Sequence, residues 1–244
     1  MRTRIVLFYH QVGALDADRD PALHVPPEAL VAQVRLLRRE GFTFQRLTDS
    51  LRSPDERVAV LTFDDGYRDN LVVAAPQLAR EGVPATVFVV TGEVSNPAPS
   101  WRNTFPQRGP MLSWDDIGSL RDRGWEIGSH AHRHLRLPLY AESEQREAIA
   151  MSVESLRRNV GIRPTSFSYP YGACDATTER IVREAGFSCA VTTRPHGPVS
   201  LAHPFTLPRL SMGGGGLRAT KQLLKLWGAC RNLPLLSGRT IRGA

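Results

Sequence analysis

The sequence predicts one α/β domain built on a parallel sheet or barrel, and three observations predict it. Short apolar runs alternate with stretches of helical periodicity along most of the 244 residues, the order that feeds right-handed crossovers between parallel strands. No internal repeat or interdomain linker divides the chain. Polar clusters follow three of the apolar runs, where open sheets and barrels of this class place their sites, at the C-terminal ends of strands.

Each element is justified by its own residues. Residues 4–10 are β-branched and aromatic, a strand ending on His10. Residues 28–40 follow Pro26-Pro27, a helix-start signal, with Leu30, Val34 and Leu37 at helical spacing. Residues 58–63 read as a buried strand, 70–81 as a helix stopped by Gly82, and 85–91 as the next strand. Residues 96–110 form a proline-bearing loop long enough to overhang a site. Ser113 is the expected N-cap of a helix ended by Gly124. Strand 125–129, helix 142–159, strand 166–169, helix 176–185 and strand 187–192 complete the alternation.

Composition narrows the class further. With 41% hydrophobic and 23% charged residues, the chain buries a core and is not disordered. The 20 glycines have no fixed period, which excludes collagen, and no apolar run approaches the roughly 18 residues of a spanning helix. Cys174, Cys189 and Cys230 lack a CxxC pair and read as buried thiols outside any disulfide or thiolate metal site. Residues 5–9 are too short an apolar run for a secretory leader, so the expected location is the cytoplasm.

Two adjacent carboxylates end one strand, in Thr62-Phe63-Asp64-Asp65-Gly66. Strand neighbours face opposite ways, so both converge only if the backbone turns at Gly66. A second cluster, His130-Ala131-His132-Arg133-His134, follows another strand. On a helical turn His130 and His134 share a face, and in an extended segment His132 joins them as a competing ligand. One carboxylate and two imidazoles would hold a divalent metal with one coordination position open for water, and a second carboxylate alongside could take that water's proton. The third cluster, Ser168-Tyr169-Pro170-Tyr171-Gly172, reads alone as a turn.

Taken together, Thr-Phe-Asp-Asp-Gly, His-x-x-x-His and Tyr-Pro-Tyr-Gly in this order resemble the polysaccharide deacetylases of carbohydrate esterase family 4, the NodB-homology domain. The resemblance covers about residues 5–212, and residues 7–12 and 84–89 look like the branch acting on poly-N-acetylglucosamine. It implies a distorted (β/α)7 barrel and a metal, usually zinc, that promotes removal of N- or O-acetyl groups from sugars. It also implies roles: Asp64 as general base, Asp65, His130 and His134 as metal ligands, and the Tyr171 backbone N–H as an oxyanion donor.

The chain departs from the family pattern at three places. Ala131 stands where Ser or Thr is usual, Ser168-Tyr169 where an arginine orients the base, and Leu207-Pro208-Arg209-Leu210 where a Leu-x-His supplies the acid. His10 is the first choice for the acid, ahead of His203 and His132. Arg209 is expected either to orient Asp64 or to bind a substrate anion.

The net charge of +7 sits in one place. After Glu184, the last acidic residue, come eight cations, which leaves the remainder near −1. Residues 1–212 are therefore read as the deacetylase domain and 213–244 as a basic appendage. Residues 217–230 predict a helix with Arg218, Lys221 and Lys225 on one side and Leu223, Leu224, Trp227 and Cys230 on the other. Such a helix packs on the barrel or lies peripherally on an anionic inner membrane. Nucleic acid is not expected, since no reader helix or aromatic sheet surface accompanies the charge. The expected partner is an acetylated glycan. Two rival readings use the same residues: hydrolysis of another small amide on this fold, and carbohydrate binding without turnover.

Overall fold

The computed structural model describes residues 3–13, 22–99, 109–193, 199 and 202–213. Its centre is a curled sheet of parallel strands. Seven of them, β1 (Thr3–Tyr9), β2 (Arg57–Phe63), β3 (Thr86–Val89), β4 (Glu126–Ser129), β5 (Ser166–Ser168), β6 (Cys189–Val191) and β7 (Leu210–Ser211), run in the spatial order β7-β1-β2-β3-β4-β5-β6. The sheet closes on itself. Just before β7, Leu207 bridges to Val191, with the Leu207 N–H donating to the Ala190 carbonyl at 3.0 Å and the Thr192 N–H to the Leu207 carbonyl at 2.9 Å. This is the distorted (β/α)7 barrel, its closing segment shared between two neighbours rather than laid down as one long strand.

Helices cover the outside: α1 (Pro27–Arg39), α2 (Ala75–Arg80), α3 (Trp114–Asp122), α4 (Glu142–Val160) and α5 (Ala176–Glu184). Each falls where the sequence predicts one. The helix expected over 70–81 opens as a π-helical stretch, Asn70–Ala74, ahead of Pro76, which has no N–H to give an α-helical bond. Ser113 caps α3 in a reciprocal box, its hydroxyl accepting from the Asp116 N–H at 3.1 Å. Gly124 follows at φ +84°, a conformation that a side chain would strain.

The strands are apolar nearly throughout because both faces are covered. Their residues still divide by parity. Leu7, Tyr9, Ala59, Leu61, Phe63, Val87 and Val89 pack outward against the helices, whereas Val6, Val58, Val60, Phe88, Val191 and Leu207 fill the barrel. Gly128 faces that interior, and a Cβ there would stand 2.5 Å from the Phe88 ring. Extending the inward parity along the chain reaches Thr62 on β2, Asp64 just after it, His130 after β4, Ser168 on β5 and Arg209 before β7. The barrel interior is thus apolar in its middle, between a polar C-terminal mouth and a base where the Thr86 and Ser166 hydroxyls donate to Glu126 and Arg4 donates to the Ser50 and Ser53 carbonyls.

Cys189 is buried and Cys174 half-buried, neither in a disulfide; Cys174 is more exposed than its sequence implies because it follows the turn Pro170–Gly172 at the mouth. Among the described residues no helix is long and apolar enough to cross a membrane. The appendage after Gly213, including the helix expected over 217–230, lies outside the described residues, as does most of the 96–110 loop.

Candidate active site

Asp64 extends β2 by one step, its N–H donating to the Tyr9 carbonyl at 2.9 Å. Its carboxylate is buried and held by Arg209 through two parallel bonds, Nη1 to Oδ1 at 2.8 Å and Nη2 to Oδ2 at 2.6 Å. The guanidinium is itself buried, donating further to the Thr192 carbonyl, the Thr62 hydroxyl and the Ser168 hydroxyl. Its carbon lies 4.7 Å from the Phe8 ring centroid. Burial alone would raise the Asp64 pKa, but the Arg209 charge and bonds, with help from His130, hold it below the usual carboxylate range. The result is an ionised carboxylate in a dry setting.

Asp65 would face away from Asp64 in a straight strand. Instead Asp65 takes φ +74° and Gly66 φ +87°, and the turn carries its carboxylate back into the mouth. There Asp65 Oδ1 lies 3.4 Å from Nε2 of His130 and 3.4 Å from Nε2 of His134. The three ligand atoms lie within 4.8 Å of one another. His130 Nδ1 is 2.7 Å from the Ser168 carbonyl, which accepts only from a protonated nitrogen, so the tautomer turns Nε2 toward Asp65. The loop does not form the helical turn considered from the i, i+4 spacing. Ala131 at φ +63° reverses the chain, and the two imidazoles meet through that bend.

These residues fit a divalent cation. Asp65 Oδ1 is buried without a hydrogen-bonding partner and faces two imidazole nitrogens, an assembly of acceptors that a positive charge at the centre would satisfy. Burial lowers the His134 pKa to about 4, so its imidazole is neutral at pH 7, the form that binds a metal. One carboxylate and two imidazoles leave a coordination position open.

His132, the competing ligand, is not in this group. Its Nδ1 lies 3.0 Å from the Thr91 hydroxyl, and the Gly92 N–H donates to its carbonyl at 2.9 Å, pinning the histidine loop from outside. His10 stands half-buried at the same mouth, its ring edge-on to Phe8 at 5.7 Å and its carbonyl accepting from Asn70 Nδ2. Burial lowers its pKa, against opposing pulls from Asp65 and Asp64. His203 is exposed in the turn before the closing segment. Tyr171 takes φ +60°, its ring 4.4 Å from His134. Sequence reading passed over Thr62, Thr91 and the side chain of Ser168. The first and last share the inward parity of Asp64, a signal that was present in the pattern of the strands.

With this geometry in hand, the comparisons decide the family. The polysaccharide deacetylase family model matches residues 52–190, more than half of the chain. The chain belongs to the polysaccharide deacetylase family. The matched span contains the Asp64-Asp65, His130–His134 and Tyr171 segments but ends before Arg209. The chain is 26% identical over 198 residues to YxkH of Bacillus subtilis, named as a polysaccharide deacetylase, with 78% of this chain and 64% of that one aligned. It is 22% identical over 181 residues to the poly-β-1,6-N-acetyl-D-glucosamine N-deacetylase of Staphylococcus aureus, with 70% and 59% aligned. In both cases the chain spans less than two thirds of the relative's length. Among solved structures, the Streptococcus pyogenes deacetylase PplD in complex with acetate superposes with a TM-score of 0.78 at 22% identity, over 92% of this chain and 97% of that one. IcaB from Ammonifex degensii gives 0.76 at 22%, over 93% and 97%. At 22% identity these two structures show a shared fold.

Proposed function

We propose that the protein removes an N-acetyl group, or an O-acetyl group, from an aminosugar in a polysaccharide or its precursor. We assign Asp65, His130 and His134 to a divalent ion, zinc by the nature of the donors. The observation that carries the reading is the pairing of an ionised, arginine-clamped carboxylate with three convergent buried ligand atoms. A carbohydrate-binding domain would have no use for that base.

A divalent ion held by Asp65, His130 and His134 would supply polarisation of the acetyl carbonyl and would ease removal of the attacking water's proton near neutral pH. Asp64 takes that proton on a carboxylate oxygen, and Arg209 keeps the carboxylate ionised and oriented while it does so. The Tyr171 backbone N–H donates to the carbonyl oxygen as it gains negative charge. His10 delivers a proton to the departing sugar nitrogen. Its lowered pKa makes it a ready donor once protonated, but it must first collect a proton.

Membership of the family and similarity to a poly-N-acetylglucosamine deacetylase support an acetylated glycan as substrate. A cytoplasmic location, with the basic appendage on the inner membrane surface, is the companion proposal and rests on the sequence of residues 213–244. Co-sedimentation of the full chain with anionic but not neutral vesicles would support it.

The reaction is tested by acetate release from N-acetylglucosamine oligomers, using chelator-stripped protein with and without zinc, beside Asp64→Asn. Zinc-dependent release abolished by the substitution is the expected result. Tight zinc binding with no release from this substrate or a panel of acetylated glycans and small amides would refute the deacetylase reading.

A further inference from the structure

One cation at the mouth stands without a counter-charge among the described residues. Arg136, exposed on the loop after His134, is stacked on Tyr171, its guanidinium carbon 4.4 Å from the ring centroid. Among the described residues no carboxylate pairs with it. Four of the five surface arginines of α4 and α5 behave differently: Arg146, Arg157, Arg180 and Arg183 each pair with a glutamate. The nearby Arg133 is also exposed, and its contact with Glu147 is a loose 3.9 Å.

The position of Arg136 matters as much as its charge. The Tyr171 ring that carries it lies 4.4 Å from His134, so the guanidinium is at most about 9 Å from that imidazole ring. That is the reach of a substituent on the reacting sugar or on the sugar beside it. Stacking holds the guanidinium plane in advance, so less freedom is lost when it binds. The planar fork of N–H donors suits a carboxylate or a phosphate, either of which it engages through two parallel bonds. The acidic groups nearest the mouth do not oppose an incoming anion strongly, because Asp64 is neutralised by Arg209 and the divalent ion assigned to Asp65 and its two histidines would offset Asp65.

We propose that Arg136 reads a negative charge on the substrate: the glycan carries a carboxylate or a phosphate on the acetylated sugar or its neighbour. This deepens the deacetylase reading and rests on it. Arg136 is then a specificity residue.

The test uses the zinc-loaded full chain and three N-acetylglucosamine pentamers: unmodified, bearing a 6-carboxylate, and bearing a 6-phosphate. The readout is the ratio of kcat/KM for each charged pentamer to that for the neutral one. The wild type should prefer at least one charged form by about five- to tenfold at low salt, the range for a charged contact at a partly exposed site. Salt should shrink that preference. Arg136→Gln should bring the ratio to about one, and Arg136→Lys should keep part of it. The arm with the larger ratio identifies the anion. A wild-type ratio of one on both arms overturns the proposal. So does a ratio that Arg136→Gln leaves intact, even with all rates lowered, since Arg136 would then only be holding Tyr171. If no pentamer is deacetylated, the reaction reading has failed on this substrate, and calorimetry with the same pentamers tests the anion site by itself. Tighter binding of a charged pentamer that Arg136→Gln abolishes supports it, and equal binding of all three overturns it.

Discussion

A carboxylate shut away from water stays ionised only when the protein supplies the compensating charge, and for Asp64 the supplier is Arg209, 145 residues distant in sequence. Removing either partner strands the other as a buried charge. Asp64→Asn and Arg209→Met should therefore each lower stability by about 3–5 kcal/mol. The double variant should lose clearly less than the sum of the two, because nothing charged is left unpaired. Urea titration of the four proteins measures this. The same pair sets a pH dependence with a definite sign. The folded pKa of Asp64 is depressed, so its contribution is present above the unfolded value of about 3.9 and is lost as pH falls through the folded one. The stability difference between wild type and Asp64→Asn should be steady at neutral pH and shrink below about pH 4. Equal differences at pH 7 and pH 3 would contradict the assignment. At this scale the sequence was legible where a residue type announces its chemistry, as with the paired aspartates. For Ser168 it held only the inward parity and not the role, which emerges when its hydroxyl is seen against Arg209 and its carbonyl against His130.

At the scale of elements, the site depends on how three turns are held. Asp65, Ala131 and Tyr171 all adopt positive φ without being glycine, a strain of roughly 1–3 kcal/mol each that neighbouring structure must impose. For the Ala131 turn the restraint is the short helix Thr91–Glu93, whose Thr91 and Gly92 N–H groups donate to the carbonyls of Ala131 and His132. Gly92 is needed for that approach, since a Cβ would meet the His132 carbonyl oxygen at 2.5 Å. Gly92→Ala should push the histidine loop outward, with a stability loss of about 1–3 kcal/mol. It should weaken zinc binding by more than that stability loss alone predicts. Competition against a chromophoric chelator, at temperatures where circular dichroism shows the variant fully folded, would reveal it; unchanged zinc affinity would remove the clamp from the argument. The long helices and β2 were plain in the sequence, because caps, glycine stops and apolar periodicity are local signals. The two-residue β7 was not, because Leu210 and Ser211 are strand only by virtue of what lies beside them.

At the scale of the whole molecule, the proposed ligand set exists only when the barrel is closed. Asp65 follows β2, the histidines follow β4, and the Ser168 carbonyl that orients His130 ends β5. Zinc that binds this arrangement and not the unfolded chain must stabilise the fold by linkage, by about 2.7 kcal/mol at a hundredfold excess over Kd. Thermal unfolding should accordingly move to higher temperature with zinc and return with chelator. Asp65→Asn should blunt the response. A melting temperature indifferent to zinc in the wild type would exclude a metal at these residues.

The amino-acid sequence by itself determined the alternation of strands and helices, the family resemblance, and the three segments that carry the chemistry, since all of these are written in local pattern and residue type. It also contained, in the parity of its strands, which side chains would face the barrel interior. Only the tertiary structure decided which histidine stands apart, how two neighbouring aspartates face one mouth, and that Arg209, of the two roles weighed for it, clamps Asp64. Those outcomes depend on backbone reversals and on contacts between residues far apart along the chain. A left-handed turn at an alanine is imposed by packing and has no signature at its own position, and the two bonds by which a guanidinium from the closing segment grips a distant carboxylate exist only once the barrel is closed.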